Sequence, residues 1–205
     1  FIETRPDMGR AIVTGLARIE GRAVAVLASD CRHLGGAIDG ESAVKATAIY
    51  QLAERWRLPV VSLIDTPGFM VGPESEAAGA PSLMSDLFIA GATLTQPIVA
   101  IFLRRAYGLG AMAMTGGSFE VPRYSVSWPQ GEFGAMGLEG AVHLGFRQEL
   151  AAAPDEDARQ ALYDNLLAEM YNKGRAVEAA SYLEIDAVIQ PGETRSVISR
   201  AFSGD

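Results

Sequence analysis

The chain has 205 residues, a formal net charge of −8 at pH 7, 49% apolar residues and 20% charged residues. These values are typical of a soluble globular protein with enough chain for one real core, and the acidic balance argues against broad nucleic-acid or anionic-membrane binding. We see no signal peptide and no apolar run near the roughly 20 residues that a membrane span needs. Cys31 is the only cysteine, which excludes an internal disulfide and favours a reducing, cytoplasmic location. The sequence starts at Phe1 without methionine, so we interpret it as part of a longer polypeptide.

Short apolar runs and amphipathic stretches alternate through the first half of the sequence. The runs predicted as strands cover residues 11–19, 23–29, 58–64 and 98–103. The first two flank Glu20-Gly21-Arg22 and predict a hairpin, and the run 58–64 is apolar throughout, as expected for a strand covered on both faces. Helices are predicted over 42–57, capped by Ser42, and over 82–94, with a polar loop over 70–80. Because each helix joins two strands, the pattern predicts parallel βαβ winding and an α/β fold.

The second half contains fewer strands and more helix. Strand and turn signals occupy 119–134, and a last short strand is predicted over 186–189. The predicted helices cover 138–150, 154–174, 176–183 and the segment that begins at Gly192. We find no internal repeat and no low-complexity linker, so residues 1–205 are predicted to form a single domain.

A glycine turn follows the strand predicted over 98–103. Tyr107-Gly108-Leu109-Gly110 precedes the small apolar run 111–114, which we interpret as the start of a buried helix. The first N–H groups of a helix have no intrahelical partner, and the helix dipole favours negative charge there. We therefore expect this turn to face an anion, or a carbonyl oxygen that becomes negative during a reaction. The Gly-rich loop 30–40 and the turn Asp65-Thr66-Pro67-Gly68-Phe69 also follow strands, so all three loops are expected at one sheet edge.

Three interpretations of the turn compete. The first is a tight connection between strand and helix that binds nothing. The second is a dinucleotide site, because residues 108–113 fit G-x-G-x-x-A. That motif usually lies in the first βαβ unit with an acid about 20 residues later, whereas here half the chain precedes it and Trp128 occupies that position. The third is an oxyanion hole, in which N–H groups point to where charge develops in a transition state.

Side chains suited to catalysis are few. There is no G-x-S-x-G motif, and neither His33 nor His143 has an acid or cysteine at a metal-ligand spacing, so no metal is expected. His143 is interpreted as structural, whereas His33, in the Gly-rich loop, stays open between structural and catalytic roles. We interpret Cys31 as a small buried hydrophobe and Asp65 as a residue that ties down N–H groups of a turn. These observations favour chemistry driven by backbone N–H groups.

Stretches spread over almost the whole chain resemble one family, together and in order. They are RPDMGRAIVTGLARIEGRAVAVLAS, LGGAIDGESAVKATAIYQLAERWRLPVVSLIDTPGF, RRAYGLGAMAM, WPQGEFGAMGLEGAVHLGFR and DAVIQPGETR. The chain resembles the C-terminal half of the carboxyltransferase (β) component of biotin-dependent acyl-CoA carboxylases of the acetyl/propionyl-CoA type. The resemblance implies a crotonase-like α/β fold, the ClpP/crotonase βαβ superhelix with C-terminal helices.

The resemblance also implies a split active site. In such enzymes the N-terminal carboxyltransferase domain binds the acyl-CoA substrate and the C-terminal domain binds carboxybiotin, and the site forms between two subunits of a homo-oligomer. Biotin is carried on a biotin carboxyl carrier protein that also serves a biotin carboxylase subunit. Backbone N–H groups hold the biotin ureido oxygen while the carboxyl group moves to the acyl-CoA α-carbon, without metal or side-chain base. This half is therefore expected to be inactive alone.

Carried onto this chain, the resemblance makes two of Leu109, Gly110 and Ala111 the catalytic N–H donors. The family usually has Gly-Gly-Ala where this chain has Gly-Leu-Gly-Ala. A gapless match selects Leu109 and Gly110, whereas a match by the Gly-Ala pair selects Gly110 and Ala111, which we favour because the helix then starts in the same place. The residues expected to bind biotin are Gly35, Gly36, Ala37, Gly68, Phe69, Tyr107 and Gly108.

Two further functions stay open from the sequence. One is a free-standing CoA-thioester hydratase or isomerase of the crotonase type, which usually places a glutamate near the thioester α and β carbons. The other is a module without catalysis that only holds a carboxylase complex together.

Overall fold

The computed structural model describes residues 1–203, and its strands form one mixed sheet. The strands are β1 (Ile2–Thr4), β2 (Ile12–Ile19), β3 (Arg22–Ser29), β4 (Val60–Thr66), β5 (Ile98–Tyr107), β6 (Tyr124–Ser127), β7 (Glu132–Gly134) and β8 (Ala187–Val188). The helices are α1 (Gly40–Trp56), α2 (Pro73–Ala77), α3 (Ala80–Ala92), α4 (Gly108–Met114), α5 (Leu138–Gly145), α6 (Arg147–Ala151), α7 (Glu156–Lys173), α8 (Ala176–Ser181) and α9 (Thr194–Phe202). None of the helices described within residues 1–203 is both long and apolar enough to cross a bilayer.

The sheet order confirms the predicted hairpin and the predicted parallel winding. The strands lie in the order β1-β2-β3-β4-β5-β6-β8, and β7 pairs with the last part of β5. The pairs β1–β2 and β2–β3 are antiparallel, whereas β3–β4, β4–β5, β5–β6 and β6–β8 are parallel. Because β3, β4 and β5 run in the same direction, the loops that follow them start at the same edge of the sheet.

Apolar side chains cover the central strands on both faces. On one face α1 buries Ala46, Ile49 and Ala53 in a cluster that includes Phe102 of β5. On the other face the C-terminal helix α9 contributes buried residues that pack with the remaining side chains of the sheet: Val197, Ile198 and Phe202 with Val61, Val99 and Ile101. The strand predicted from the apolar run 58–64 is thus covered on both faces, as expected.

The helix predicted from residue 42 begins two residues earlier than expected. Asp39, not Ser42, is its N-cap, and the Asp39 carboxylate accepts a hydrogen bond of 2.8 Å from the Ser42 N–H. The prediction was wrong because both residue types favour the N-cap position, and the pattern of apolar residues does not choose between them. Arg57 ends the helix in a left-handed conformation with φ of 55°.

Two other predicted boundaries were wrong for local reasons. The segment 70–80, predicted as a loop, contains α2, which starts at Pro73 where the fixed φ of proline suits a first helical position. The helix predicted over 138–150 is divided at Phe146 into α5 and α6. The apolar spacing continues across Phe146, so the sequence pattern did not reveal this break.

Candidate active site

Hydrogen bonds join the Gly-rich loop to the turn after β4. The Ile38 N–H donates to the Gly68 carbonyl at 3.0 Å, and the Met70 N–H donates to the Ile38 carbonyl at 2.9 Å. The buried hydroxyl of Thr66 donates to the Gly36 carbonyl at 2.7 Å and accepts from the Gly68 N–H at 3.1 Å. These bonds hold the two loops as one unit at the carboxyl edge of the sheet.

Close backbone packing explains the glycines at this edge. A Cβ on Gly36, whose φ is +88°, would lie 2.6 Å from the Asp65 carbonyl oxygen. A Cβ on Gly108, whose φ is +57°, would lie 2.7 Å from the Ala135 carbonyl oxygen. A Cβ on Gly110 would lie 2.7 Å from the carbonyl carbon of Gly68, so the turn after β5 packs directly on the turn after β4. The three loops predicted to meet therefore do meet.

The start of α4 determines which N–H groups of the turn lack an acceptor within the helix. Tyr107 is the N-cap and the helix begins at Gly108, so the first i to i−4 hydrogen bond runs from the Ala111 N–H to the Tyr107 carbonyl. The N–H groups of Gly108, Leu109 and Gly110 have no acceptor within the helix. The Leu109 side chain is 62% exposed, whereas Gly110 and Ala111 are buried.

Asp65 is the centre of an ion-pair cluster beside the loops. Its carboxylate accepts from Arg104 Nη2 at 2.9 Å and from Arg105 Nε at 2.9 Å. The same Arg105 guanidinium donates through Nη2 to the Gly35 carbonyl at 2.6 Å. Burial raises the pKa of Asp65, but the hydrogen bonds and charges of the two arginines outweigh it, and the pKa lies below its ordinary value. Asp65 is therefore an ionised structural acid, and it ties down guanidinium groups as well as the Arg105 N–H.

The Tyr107 side chain is anchored by a hydrogen bond at its hydroxyl group. Its hydroxyl donates to Glu132 Oε2 at 2.8 Å, and the residue is 3% exposed. Burial, followed by the hydrogen bond and charge of Glu132, raises the pKa of Tyr107, so the phenol stays protonated at neutral pH. Tyr107 thus contributes to the site by fixing the end of β5.

Three other residues considered from the sequence, Cys31, His143 and His33, make none of the hydrogen bonds described above. Cys31 is exposed, so its interpretation as a buried hydrophobe was wrong. His143 stacks on Tyr163 with ring centroids 4.7 Å apart, in a cavity of about 470 Å³ among α5, α6 and α7. His33 directly precedes the 3-10 turn of the Gly-rich loop, and its side chain caps nothing there.

The sequence patterns did not identify the contributions of Thr66, Arg104 and Arg105. The available signal was an aspartate at the end of one buried strand and adjacent arginines near the end of the next. In a parallel pair these ends are neighbours, so an ion pair between them was predictable in principle.

Comparisons with known proteins show the family of this chain. The family described as "Carboxyl transferase domain" matches residues 1–204. The biotin-dependent acetyl-/propionyl-coenzyme A carboxylase beta6 subunit of Mycobacterium tuberculosis (strain ATCC 25618 / H37Rv) is 33% identical over 204 residues, which are 99% of this chain and 43% of that protein. The methylmalonyl-CoA carboxyltransferase 12S subunit of Propionibacterium freudenreichii subsp. shermanii is 30% identical over 201 residues, 98% of this chain and 38% of that protein.

Solved structures extend the likeness to three dimensions. A single-chain, multi-domain long-chain acyl-CoA carboxylase is 50% identical with a TM-score of 0.87, covering 98% of this chain and 20% of that one. A transcarboxylase 12S structure is 30% identical with a TM-score of 0.90, covering 98% of this chain and 38% of that one.

The chain spans less than half the length of these relatives. Their folds confirm the crotonase-like α/β architecture that the sequence resemblance implied. By sequence and by fold, the chain belongs to the carboxyl transferase domain family, among the carboxyltransferase components of biotin-dependent acyl-CoA carboxylases.

Proposed function

We propose that this chain forms the carboxybiotin-binding half of an acyl-CoA carboxyltransferase, and that backbone N–H groups of the turn after β5 stabilise negative charge there. The observation that carries the proposal is the start of α4 at Gly108, which leaves three successive N–H groups without an intrahelical acceptor. This start lies beside two glycine loops that are themselves joined by hydrogen bonds. Family membership supplies the reaction class.

The helix geometry favours Leu109 and Gly110 as the two donors. Ala111 was part of the pair preferred from the sequence, but a helix that begins at Gly108 commits the Ala111 N–H to the Tyr107 carbonyl. The exposed side chain of Leu109 also explains how leucine is accommodated where the family usually has glycine, since no packed neighbour needs that space. We therefore propose the gapless match between this turn and the family turn.

The residues present fit a bound urea oxygen. Neutral N–H donors at a helix start suit a carbonyl oxygen that gains charge. We propose that Gly35, Gly36, Ala37, Gly68, Phe69, Tyr107 and Gly108 form the surrounding loops of the biotin site. When bound, carboxybiotin supplies the carboxyl group, and the role of this chain is to orient the urea and to lower the energy of charge on its oxygen.

The partners follow from the same family membership and from the length of the relatives. We propose that an N-terminal carboxyltransferase domain supplies the acyl-CoA site, that a biotin carboxyl carrier protein delivers biotin, and that a biotin carboxylase subunit recharges it. A homo-oligomer is proposed as the working form, because the 12S relative is described as a hexamer assembly.

A pair of substitutions at one position tests the proposed donors. Leu109→Pro removes a single N–H at a first-turn position where proline is tolerated, whereas Leu109→Ala removes the side chain and keeps the N–H. In the full-length carboxyltransferase we expect Leu109→Pro to lower kcat for carboxyl transfer about 100-fold, as losing one oxyanion donor does elsewhere. Leu109→Ala should stay within about threefold of the wild type, since it keeps that donor.

The two variants separate the N–H group from the side chain. Equal loss in both would assign the effect to the leucine side chain, and unchanged transfer in folded Leu109→Pro would favour a module that only holds the complex together. Gly110→Pro is a poorer test, because any Cβ at this position meets Gly68.

A further inference from the structure

A single guanidinium connects the three loops of the candidate site. Arg105 lies two residues before Tyr107 on β5, its Nε contacts Asp65 Oδ1 at 2.9 Å, and its Nη2 contacts the Gly35 carbonyl at 2.6 Å. Asp65 directly precedes the hydroxyl residue that bonds to Gly68, and Gly35 lies in the Gly-rich loop. The Arg105 side chain is 22% exposed; its hydrogen bond to Asp65 is partly buried, whereas its hydrogen bond to the Gly35 carbonyl is exposed to solvent.

A bulge in β5 places this guanidinium. Ile64 pairs with Phe102 and Thr66 pairs with Ala106, so the single residue Asp65 faces residues 103–105 of β5. Successive side chains of a regular strand point to opposite faces, yet Arg104 and Arg105 both reach the Asp65 carboxylate. Bulges redirect side chains in this way and are common beside active sites.

The two arginines differ in what else they touch. Arg104 is 47% exposed, and within residues 1–203 its hydrogen bonds all end at the Asp65 carboxylate. Arg105 contacts the same carboxylate and also reaches across to the Gly-rich loop. The pair therefore provides an internal comparison between an ion pair alone and an ion pair that also fastens a loop.

We propose that Arg105 is a positioning residue for carboxyl transfer, which fixes the Tyr107–Gly110 turn against the Gly-rich loop by holding Asp65 and the Gly35 carbonyl together. The inference rests on the proposed function of that turn. Without this guanidinium β5 loses its direct hydrogen bond to the Gly-rich loop. The N–H groups that follow Tyr107 are then held relative to the Gly35–Ala37 segment only through the turn after β4. Displacements of about 1 Å at a catalytic group can lower rates about 100-fold.

The test compares Arg105→Met with Arg104→Met in the full-length carboxyltransferase and its biotin carrier. We expect Arg105→Met to lower kcat at least about tenfold with the acyl-CoA KM within about twofold, as misplacement of catalytic groups predicts. Hydrogen exchange of the amides at 33–38 and 107–110, measured without substrate, should accelerate in this variant. Arg104→Met should keep kcat within about threefold and leave exchange at 33–38 unchanged, because its contacts end at Asp65. Arg105→Lys should recover the transfer rate only in part, since a compact ammonium does not reproduce the two separate contacts of the guanidinium.

Several outcomes would overturn the proposal. Equal losses of kcat and of thermal stability in the two methionine variants would make Arg105 part of a structural ion pair only, and unchanged kcat in Arg105→Met would remove its role altogether. If Arg105→Met does not fold, Arg105→Gln replaces it, and wild-type kcat in that variant would contradict the inference. Leu109→Pro is measured in parallel: its failure to slow transfer counts against the proposed oxyanion donors, whereas a harmless Arg105→Met beside a damaged Leu109→Pro counts only against positioning.

Discussion

Two neighbouring residues of the β5–α4 turn, Leu109 and Gly110, differ in the space available for a side chain. Gly110 has backbone atoms of Gly68 and Phe69 within 3 Å of the position of a Cβ, whereas Leu109 carries a large side chain into solvent. The turn therefore tolerates a large side chain at position 109 and requires glycine at position 110. Local sequence spacing could not separate the two, because the restricting atoms belong to a loop about 40 residues earlier.

We expect Gly110→Ala to destabilise the fold by about 1–3 kcal/mol, the usual cost of forcing extra volume into packed structure. The added Cβ would lie 2.7 Å from the carbonyl carbon of Gly68, and backbone on both sides has to move. Urea unfolding followed by circular dichroism measures the change, with Gly137→Ala as control because a Cβ there meets nothing within 4 Å. Equal stability of the two variants would contradict the close approach of these turns.

Among the elements, α1 depends on a cap that the sequence pattern placed three residues too late. The Asp39 carboxylate accepts the Ser42 N–H, while the Ser42 hydroxyl is buried without a hydrogen-bond partner in the described part of the chain. Asp39→Ala should therefore cost about 0.5–2 kcal/mol of unfolding free energy, as loss of an N-cap does. Ser42→Ala should be close to neutral or stabilising, because it removes a buried polar group that is unsatisfied. The same urea titration measures both, and a larger loss in Ser42→Ala would restore the cap predicted from the sequence.

Elements with a strong local pattern were the predictable ones. The runs that became β2, β3 and β4 follow from consecutive apolar residues, and α1 and α3 follow from helical spacing of apolar residues. The length of β5 was not predictable in this way, because the apolar run ends at Leu103 and the strand continues through two arginines to Tyr107. Both arginines form ion pairs with Asp65 of β4, a partner that lies about 40 residues away in sequence.

Across the whole molecule, the parallel order of β3, β4 and β5 made the meeting of the three loops predictable. Chain order and helix-length crossovers were enough to place the loops at one edge. The hydrogen bonds that join the loops were not predictable, because each connects residues far apart in sequence. They involve the Thr66 hydroxyl, the Arg105 guanidinium and the Tyr107–Glu132 pair. The location of the site was thus available from topology, whereas its internal geometry required coordinates.

The Asp65 cluster gives the whole fold a predictable response to acid. The pKa of Asp65 in the folded chain lies below its ordinary value of 3.8, so the unfolded chain binds protons there first as the pH falls. The cluster therefore stabilises the fold fully at pH values well above 3.8, and this stabilisation is lost as the pH drops through 3.8 toward the folded-state pKa. We expect Asp65→Asn to lower the unfolding free energy at pH 7 by about 1–3 kcal/mol, the range for hydrogen bonds to charged groups.

The difference in unfolding free energy between the wild type and Asp65→Asn should decrease as acid protonates the wild-type carboxylate. Urea unfolding of both proteins at pH 7, 5, 4 and 3 measures this difference. It should have its maximum value at pH 7 and pH 5 and be clearly smaller at pH 3. Asp30→Asn is the matched control: the pKa of Asp30 is also lowered, to about 2, by its hydrogen bond to Arg32, but that arginine is 86% exposed. Solvent screening weakens such a pair, so its variant should lose less stability at pH 7 than Asp65→Asn does. A difference for Asp65→Asn that is as large at pH 3 as at pH 7 would mean that Asp65 acts through packing and not through its charge.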